Sequence, residues 1–96
     1  MATVVVTPTA AADLERLVRS LSLPPTTRQR TVASLRALER FPLIGAPLFG
    51  RWARYRFVLG PWRWMLIVYV YDDALDQVAV VTIQDARSAA SATSPA

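Results

Sequence analysis

The stretch RWARYRFVLGPWRWMLIVYVY, residues 51–71, decides the fold, because it predicts a central β-hairpin with one apolar and one cationic face. It contains four of the 11 basic residues of the chain and most of its aromatic residues. Successive side chains of a strand point to opposite faces of a sheet. The residues that share the expected core face of the first strand are Ala53, Tyr55, Phe57 and Leu59. The opposite face carries Trp52, Arg54, Arg56 and Val58.

A two-residue turn at Gly60-Pro61 is expected to join the two strands. A type II′ turn accepts Gly at its first position and the negative φ of Pro at its second, and such a turn pairs Leu59 with Trp62. The side chains that continue the core face are then Trp62, Trp64, Leu66, Val68 and Val70. The other face is expected to carry an exposed triad formed by Arg54, Arg56 and Arg63.

Composition predicts one domain with an anionic partner. The 96 residues, 53% of them hydrophobic, are expected to form a single domain over residues 1–87. The small residues of the stretch 88–96 predict a disordered tail. Every basic side chain is an arginine, and the formal net charge is +4. The planar guanidinium fork matches phosphate and carboxylate, which favours phosphate recognition; a bias towards arginine codons is the alternative explanation.

Cysteine and histidine are both absent, which excludes several classes of enzyme. Disulfides, thiolate nucleophiles, an imidazole base and the usual zinc sites need these residues, and we expect neither a metal nor a cofactor. The first residues lack the basic start of a secretion signal. The longest apolar run, 64–71, is far shorter than the roughly 20 residues that span a bilayer. These features predict a cytoplasmic protein with no membrane partner.

The remaining segments predict two helices and two further strands. A β-branched run at 3–7 suits a strand. A helix follows it, with a buried stripe formed by Leu14, Leu17, Val18 and Leu21. A second helix is expected from Thr26 or Thr27 to about Arg40, with an inner side formed by Val32, Leu35 and Leu38. The last strand is expected at 77–84.

The predicted order is β-α-α-β-β-β, which is an α+β fold. The two helices form a hairpin packed on one face of a mainly antiparallel four-stranded sheet. The uncovered face of that sheet is expected to carry the arginines. By alternation Met65 and Ile67 share this face, and a partner segment lying across them would explain two apolar side chains in such a position.

In this order of elements the chain resembles the RelE/ParE superfamily of bacterial type II toxins, from Val4 to about Arg87. The residues of the helices that carry the resemblance are Ala12, Asp13, Leu14, Leu17, Leu35 and Leu38. Those of the connections and strands are Phe41, Pro42, Gly45, Leu48, Gly50, Arg54, Arg56, Gly60, Pro61, Trp62, Arg63 and Arg87. Their order and spacing together are more specific than any one of them.

The resemblance implies the toxin of a toxin–antitoxin pair, whose partner is a cognate antitoxin protein that wraps and blocks it. In the RelE-like branch it implies an endoribonuclease, or mRNA interferase. Such a toxin enters the ribosomal A site and cuts mRNA by attack of the 2′-OH on the adjacent phosphate. The implied catalytic residues are Arg56, Arg63 and Arg87. The implied contacts to RNA phosphates are Arg51, Arg54 and Arg56.

Two departures from the family pattern leave the activity open. Members usually carry Lys, Glu, His or Tyr as proton-transfer groups, whereas the positions matching their basic residues here are Arg, which does not readily release a proton. The C-terminal stretch also lacks Tyr and His. Tyr69 and Tyr71 can take over the proton transfer only if they face the same surface as Arg63. A tyrosine with an unperturbed pKa is a poor base at neutral pH. The alternatives are a ParE-like inhibitor of DNA gyrase and a decayed module that binds only its antitoxin.

Overall fold

A computed structural model describes residues 1–94 as one five-stranded sheet with helices on one face. The strands are β1 (Thr3–Val6), β2 (Ala46–Pro47), β3 (Arg56–Leu59), β4 (Met65–Asp72) and β5 (Gln77–Asp85). The helices are α1 (Pro8–Ser20), α2 (Thr27–Leu35) and α3 (Ala37–Arg40). The sheet order is β1-β5-β4-β3-β2, in which β1 runs parallel to β5 and the other neighbours are antiparallel. None of the helices in this part of the chain is long and apolar enough to cross a bilayer.

This architecture confirms the expected α+β fold, with two differences. The sheet has a fifth strand, the short β2, between the helices and the central hairpin. The second helix is interrupted at Arg36, so its last turn is the separate α3. Of its expected inner residues, Leu35 and Leu38 are buried, whereas Val32 is exposed.

Helix α1 begins at Pro8, and Thr7 is its N-cap. The Thr7 hydroxyl accepts a hydrogen bond from the Ala10 amide at 3.3 Å. The same hydroxyl donates to the Val80 carbonyl at 2.9 Å, which attaches the start of the helix to β5. One side chain therefore caps α1 and fixes its position over the sheet.

Asp13 is a buried residue on the inner side of α1. Its carboxylate accepts hydrogen bonds from the Thr82 hydroxyl and from the Ile83 amide, the latter at 3.2 Å. Pairing between β1 and β5 ends at Val6 and Val80, so beyond that point no strand within residues 1–94 pairs with β5 on this side. The Asp13 carboxylate takes the place of a neighbouring strand and satisfies a buried backbone amide.

The hairpin of β3 and β4 has a different register from the expected one. Leu59 pairs with Leu66, because the chain turns at 62–65, where the Met65 amide donates to the Trp62 carbonyl at 2.9 Å. Gly60 does not have the positive φ that the first central residue of a type II′ turn requires. The expected two-residue turn is therefore wrong.

The change of register does not reverse the alternation of side chains within the two strands. The partner of Leu59 moves from Trp62 to Leu66, which is four residues, and an even shift keeps the strand side chains on their expected faces. Trp62 and Trp64, which lie in the turn, are the exception, because they pack with Met65 and Ile67 and not with Leu66 and Val68. What changes is the face that the helices cover. The helix face, as we call it, carries the fully buried β4 side chains Met65, Ile67 and Tyr69. The other side of the sheet is called the open face.

The prediction that Met65 and Ile67 form an exposed partner surface is therefore wrong. Both residues are 0% exposed, and they pack in one cluster with Leu35 of α2 and Leu38 of α3. Strand β4 is apolar on both faces, so its sequence does not indicate which face the helices cover.

The C-terminal residues 88–94 cover part of the open face. Ala92 belongs to an apolar cluster whose other buried members are Leu48, Leu66 and Val68. The Ala92 amide donates to the side-chain oxygen of Gln84 at 2.8 Å, which attaches this segment to β5. The prediction of a disordered tail is wrong for these residues, and its last two positions, 95 and 96, lie outside the described residues.

Replacing Asp13 with alanine is expected to lower the free energy of unfolding by about 2–4 kcal/mol, because the buried Ile83 amide loses its acceptor. The variant Asp13→Asn keeps one acceptor oxygen and is expected to lose less. Urea denaturation of the three proteins, followed by circular dichroism, measures the difference. A loss below about 0.5 kcal/mol in Asp13→Ala would show that this carboxylate does not support β5.

Candidate nucleic-acid interface

Arg63 stands at the tip of the β3–β4 hairpin, in the turn 62–65. Its side chain is exposed, and none of the ion pairs formed within residues 1–94 involves it. The residues on either side, Trp62 and Trp64, are half-buried and pack against the core of the helix face. The two indole rings hold the turn against the protein, while the charge of Arg63 remains available to an anion.

Arg87 is brought next to this turn by the end of β5. The Ala86 amide donates to the Trp64 carbonyl at 2.7 Å. The guanidinium carbon of Arg87 lies 4.6 Å from the centre of the Trp64 ring. The backbone hydrogen bond joins the residue after Arg63 to the residue before Arg87. Of the three arginines implied to be catalytic, these two therefore lie on neighbouring backbone segments at the hairpin tip.

A third arginine, Arg30 of α2, adds to the cationic surface around the turn. Its guanidinium carbon lies 4.6 Å from the centre of the Trp62 ring, which is a cation–π contact. The sequence indicates only an exposed helix position for Arg30, since no local pattern shows which hairpin the helix will cover. The hairpin-tip cluster, as we call it, consists of Arg30, Trp62, Arg63, Trp64 and Arg87.

Asp85 is a carboxylate bound to this cluster through Arg87. Two contacts, at 2.9 and 2.8 Å, join its oxygens to Nε and Nη2 of Arg87. The hydrogen bonds from Arg87 lower the pKa of Asp85, so the carboxylate is ionised at neutral pH. A phosphate that approaches the guanidinium fork of Arg87 competes with this carboxylate.

Arg56 does not join the hairpin-tip cluster. It begins β3, whose length of roughly 10 Å separates it from the turn that carries Arg63. Its Nη1 atom donates to the carbonyls of Gly45 and Leu43, at 2.8 and 3.3 Å. The expected convergence of Arg54, Arg56 and Arg63 on one exposed sheet face is therefore wrong, because Arg56 is turned towards the connection that precedes β2.

Arg51 and Arg54 precede β3 and lie over aromatic rings. The guanidinium carbon of Arg51 is 5.7 Å from the centre of the Trp52 ring, and that of Arg54 is 5.4 Å from the centre of the Tyr55 ring. Both rings pack against the apolar cluster of the open face. Arg51 also borders a cavity of about 800 Å³ that the C-terminal segment helps to line. These two arginines form a second cationic site, at the other end of β3 from the hairpin-tip cluster.

Neither tyrosine of β4 is placed to act as a base at Arg63. Tyr69 is fully buried, its hydroxyl accepts a hydrogen bond from the Gly45 amide at 2.9 Å, and burial raises its pKa. Tyr71 lies near the far end of the strand and donates to Asp76 at 2.8 Å, which raises its pKa as well. Both hydroxyls are protonated at neutral pH and lie away from the hairpin tip.

No protein-family model and no curated protein matches this sequence, but the fold has solved relatives. A chain of the RelBE2 toxin–antitoxin complex from Mycobacterium tuberculosis is similar at a TM-score of 0.65 and 26% sequence identity, over 88% of this chain and 96% of that one. The chain belongs to the RelE/ParE superfamily. The conserved hypothetical proteins HP0894 and HP0892 from Helicobacter pylori share its fold, with TM-scores of 0.62 and 0.58 and identities of 17% and 18%. These two matches cover 88% of this chain and 94% of each relative.

In this RelE/ParE-superfamily chain, Asp85→Asn is expected to strengthen binding of single-stranded RNA by up to about five-fold, because it weakens a partly exposed ion pair that occupies Arg87. Asp73→Asn is the matched control, since it makes the same change of charge at the turn between β4 and β5. Fluorescence anisotropy with a short RNA oligonucleotide at fixed salt measures both affinities. Equal changes in the two variants would attribute the effect to net charge alone.

Proposed function

We propose that this chain is the toxin of a type II toxin–antitoxin pair and that it inhibits translation by cutting mRNA on the ribosome. The observation that carries the proposal is the proximity of Arg63 and Arg87 at one exposed end of the sheet. Guanidinium forks recognise phosphate groups, and the adjoining indole ring of Trp64 holds Arg87 in place by a cation–π contact. The likeness to a solved toxin–antitoxin complex supports a cognate antitoxin as the partner. Such a toxin acts in the cytoplasm, where ribosomes translate mRNA.

In the proposed reaction the 2′-OH of one nucleotide attacks the adjacent phosphate and gives its proton to water. The P–O5′ bond breaks, which leaves a 2′,3′-cyclic phosphate on one fragment and a 5′-OH, protonated by water, on the other. Negative charge grows on the phosphate oxygens, and Arg63 and Arg87 stabilise that charge. Arg87 becomes available when the phosphate displaces Asp85 from its guanidinium fork. Arg51 and Arg54 lie at the other end of β3 and contact further phosphates of the same strand. Arg56 is assigned no contact with the RNA, since its side chain holds the connection that precedes β2.

Inhibition of DNA gyrase is the second candidate function, and it is favoured because the hairpin tip has neither a histidine nor a tyrosine to act as a base within residues 1–94. The chain contains no histidine, and arginine does not release its proton at neutral pH. Within the described residues, both tyrosines of β4 lie away from Arg63. A toxin that blocks gyrase needs no proton transfer of its own, and the same cationic surface suits a complex that contains DNA. A decayed module that binds only its antitoxin would inhibit neither target.

Replacing Arg63 with alanine is expected to reduce mRNA cutting by about 100-fold or more, because a charged group that stabilises the transition state is removed. Arg19→Ala is the matched control, since Arg19 is also exposed but lies on α1. Controlled expression followed by mapping of mRNA ends measures the cuts, which are expected at codon spacing in ribosome-bound messages.

The same experiment separates the candidate functions. Intact mRNA together with loss of gyrase supercoiling activity would reject the nuclease proposal in favour of the gyrase inhibitor. Intact mRNA with normal supercoiling and normal growth would leave only the antitoxin-binding module. Cutting that is equal in Arg63→Ala and Arg19→Ala would reject the role assigned to Arg63.

A further inference from the structure

The connection between α3 and β3 exposes an unusual group of large apolar side chains. Phe41, Leu43 and Ile44 are 59%, 57% and 59% exposed, and Phe49 is 79% exposed. They stand within nine consecutive residues that flank β2, the edge strand of the sheet. Large apolar side chains that are exposed together in one short segment of a small protein mark interaction surfaces. The apolar edge, as we call it, consists of these four residues.

The backbone beneath the apolar edge is held by hydrogen bonds from the body of the protein. The Ile44 amide donates to the Phe41 carbonyl at 3.0 Å, which closes the turn. The Gly45 amide donates to the buried Tyr69 hydroxyl at 2.9 Å. Arg56 donates to the carbonyls of Leu43 and Gly45. These hydrogen bonds hold the backbone of the turn against the body of the protein. The apolar side chains of the turn nevertheless remain exposed to solvent.

The close packing at Gly45 shows how tightly the turn is seated. A Cβ atom at this position would lie 2.7 Å from both the Phe57 carbonyl oxygen and the Tyr69 hydroxyl. Such a distance is shorter than a van der Waals contact, so only glycine allows the backbone to approach β3 and β4 this closely. A rigid backbone that presents apolar side chains to solvent is pre-organised, which reduces the entropy lost when a partner binds.

The charge around the apolar edge indicates the chemistry of its partner. Residues 36–56 contain five arginines and one acidic residue, Glu39. The rest of the chain contains six arginines and six acidic residues. Complementarity of charge therefore selects an acidic partner with an apolar stripe. The edge strand β2 has only two residues, and the second is Pro47, which has no amide to donate. Addition of a partner strand is disfavoured, and docking of an amphipathic helix is favoured.

We infer that the apolar edge is the surface on which an acidic, amphipathic helix of the antitoxin docks. The inference rests on the proposed function, because it assumes that the chain has an antitoxin partner. It replaces Met65 and Ile67, which are buried, with Phe41, Leu43, Ile44 and Phe49 as the partner-binding residues. The surface lies beside β2 and does not include Arg63 or Arg87, so its loss leaves the toxic activity intact.

The test uses the double variant Leu43→Asp, Ile44→Asp, which places two carboxylates in the centre of the apolar edge. The probe is the polypeptide encoded by the reading frame adjacent to this gene. The double variant is expected to bind this polypeptide at least about 30-fold more weakly, as loss of a central anchor does. Leu75→Asp is the matched control, since Leu75 is exposed at the distant turn between β4 and β5. Isothermal titration with the purified full-length chains measures the affinities.

Co-expression in cells separates failure of the inference from failure of the proposed function. The double variant is expected to remain toxic and to escape neutralisation by the adjacent polypeptide, whereas Leu75→Asp remains toxic and is neutralised. Unchanged binding and neutralisation of the double variant would overturn the docking surface while leaving the toxin proposal intact. A wild-type chain that is not toxic would contradict the proposed function, and the titration would still decide whether the apolar edge binds.

A second variant tests pre-organisation without changing the apolar side chains. Tyr69→Phe removes the hydroxyl that accepts from the Gly45 amide, so weaker binding is expected with the surface chemistry unchanged. Size-exclusion chromatography of the free protein tests the alternative that a second copy of this chain covers the apolar edge. A wild-type dimer that the double variant converts to a monomer would assign the apolar edge to a second copy of this chain and overturn the inference.

Discussion

Burial of β4 on both faces is the constraint around which this molecule is arranged. Every side chain from Met65 to Tyr69 is buried, so the strand needs a covering layer on each side. The helices supply the layer on the helix face, through residues such as Leu38. On the open face, Leu48 and Ala92 supply it, and they come from the connection before β3 and from the C-terminal segment. A stretch of small residues thus becomes part of the fold, because it covers apolar surface that the helices do not reach.

The double cover of β4 places the charged groups at the margins of the sheet. An arginine over the middle of the strand would lose its hydration without a partner. The guanidinium groups therefore lie at the hairpin tip, ahead of β3 and along the connection beside β2. Aromatic rings hold four of them in place through cation–π contacts, which fix the position of a charge without neutralising it. The result is a set of separate cationic sites that suits an extended polyanion or an acidic partner.

The central hairpin shows where local rules of sequence stop being sufficient. Gly60-Pro61 has the composition of a two-residue turn, yet the chain turns at 62–65. Packing of Trp62 and Trp64 against the core of the helix face decides the register, since burial of large aromatic side chains contributes more free energy than a preferred turn type. The alternation of side chains could be predicted because the shift is even. The face covered by the helices could not, because both faces of β4 are apolar.

The sequence by itself determined the order of the main helices and strands, the arginine-rich character of the surface and the resemblance to the RelE/ParE superfamily. All of these depend on residues close together in the chain or on the succession of elements along it. Only the tertiary structure decided that Met65 and Ile67 are buried, that Arg30 and Arg87 lie beside the tryptophans flanking Arg63, and that Arg56 supports a turn. These features are contacts between distant parts of the chain, and propensity and alternation act over too few residues to specify them.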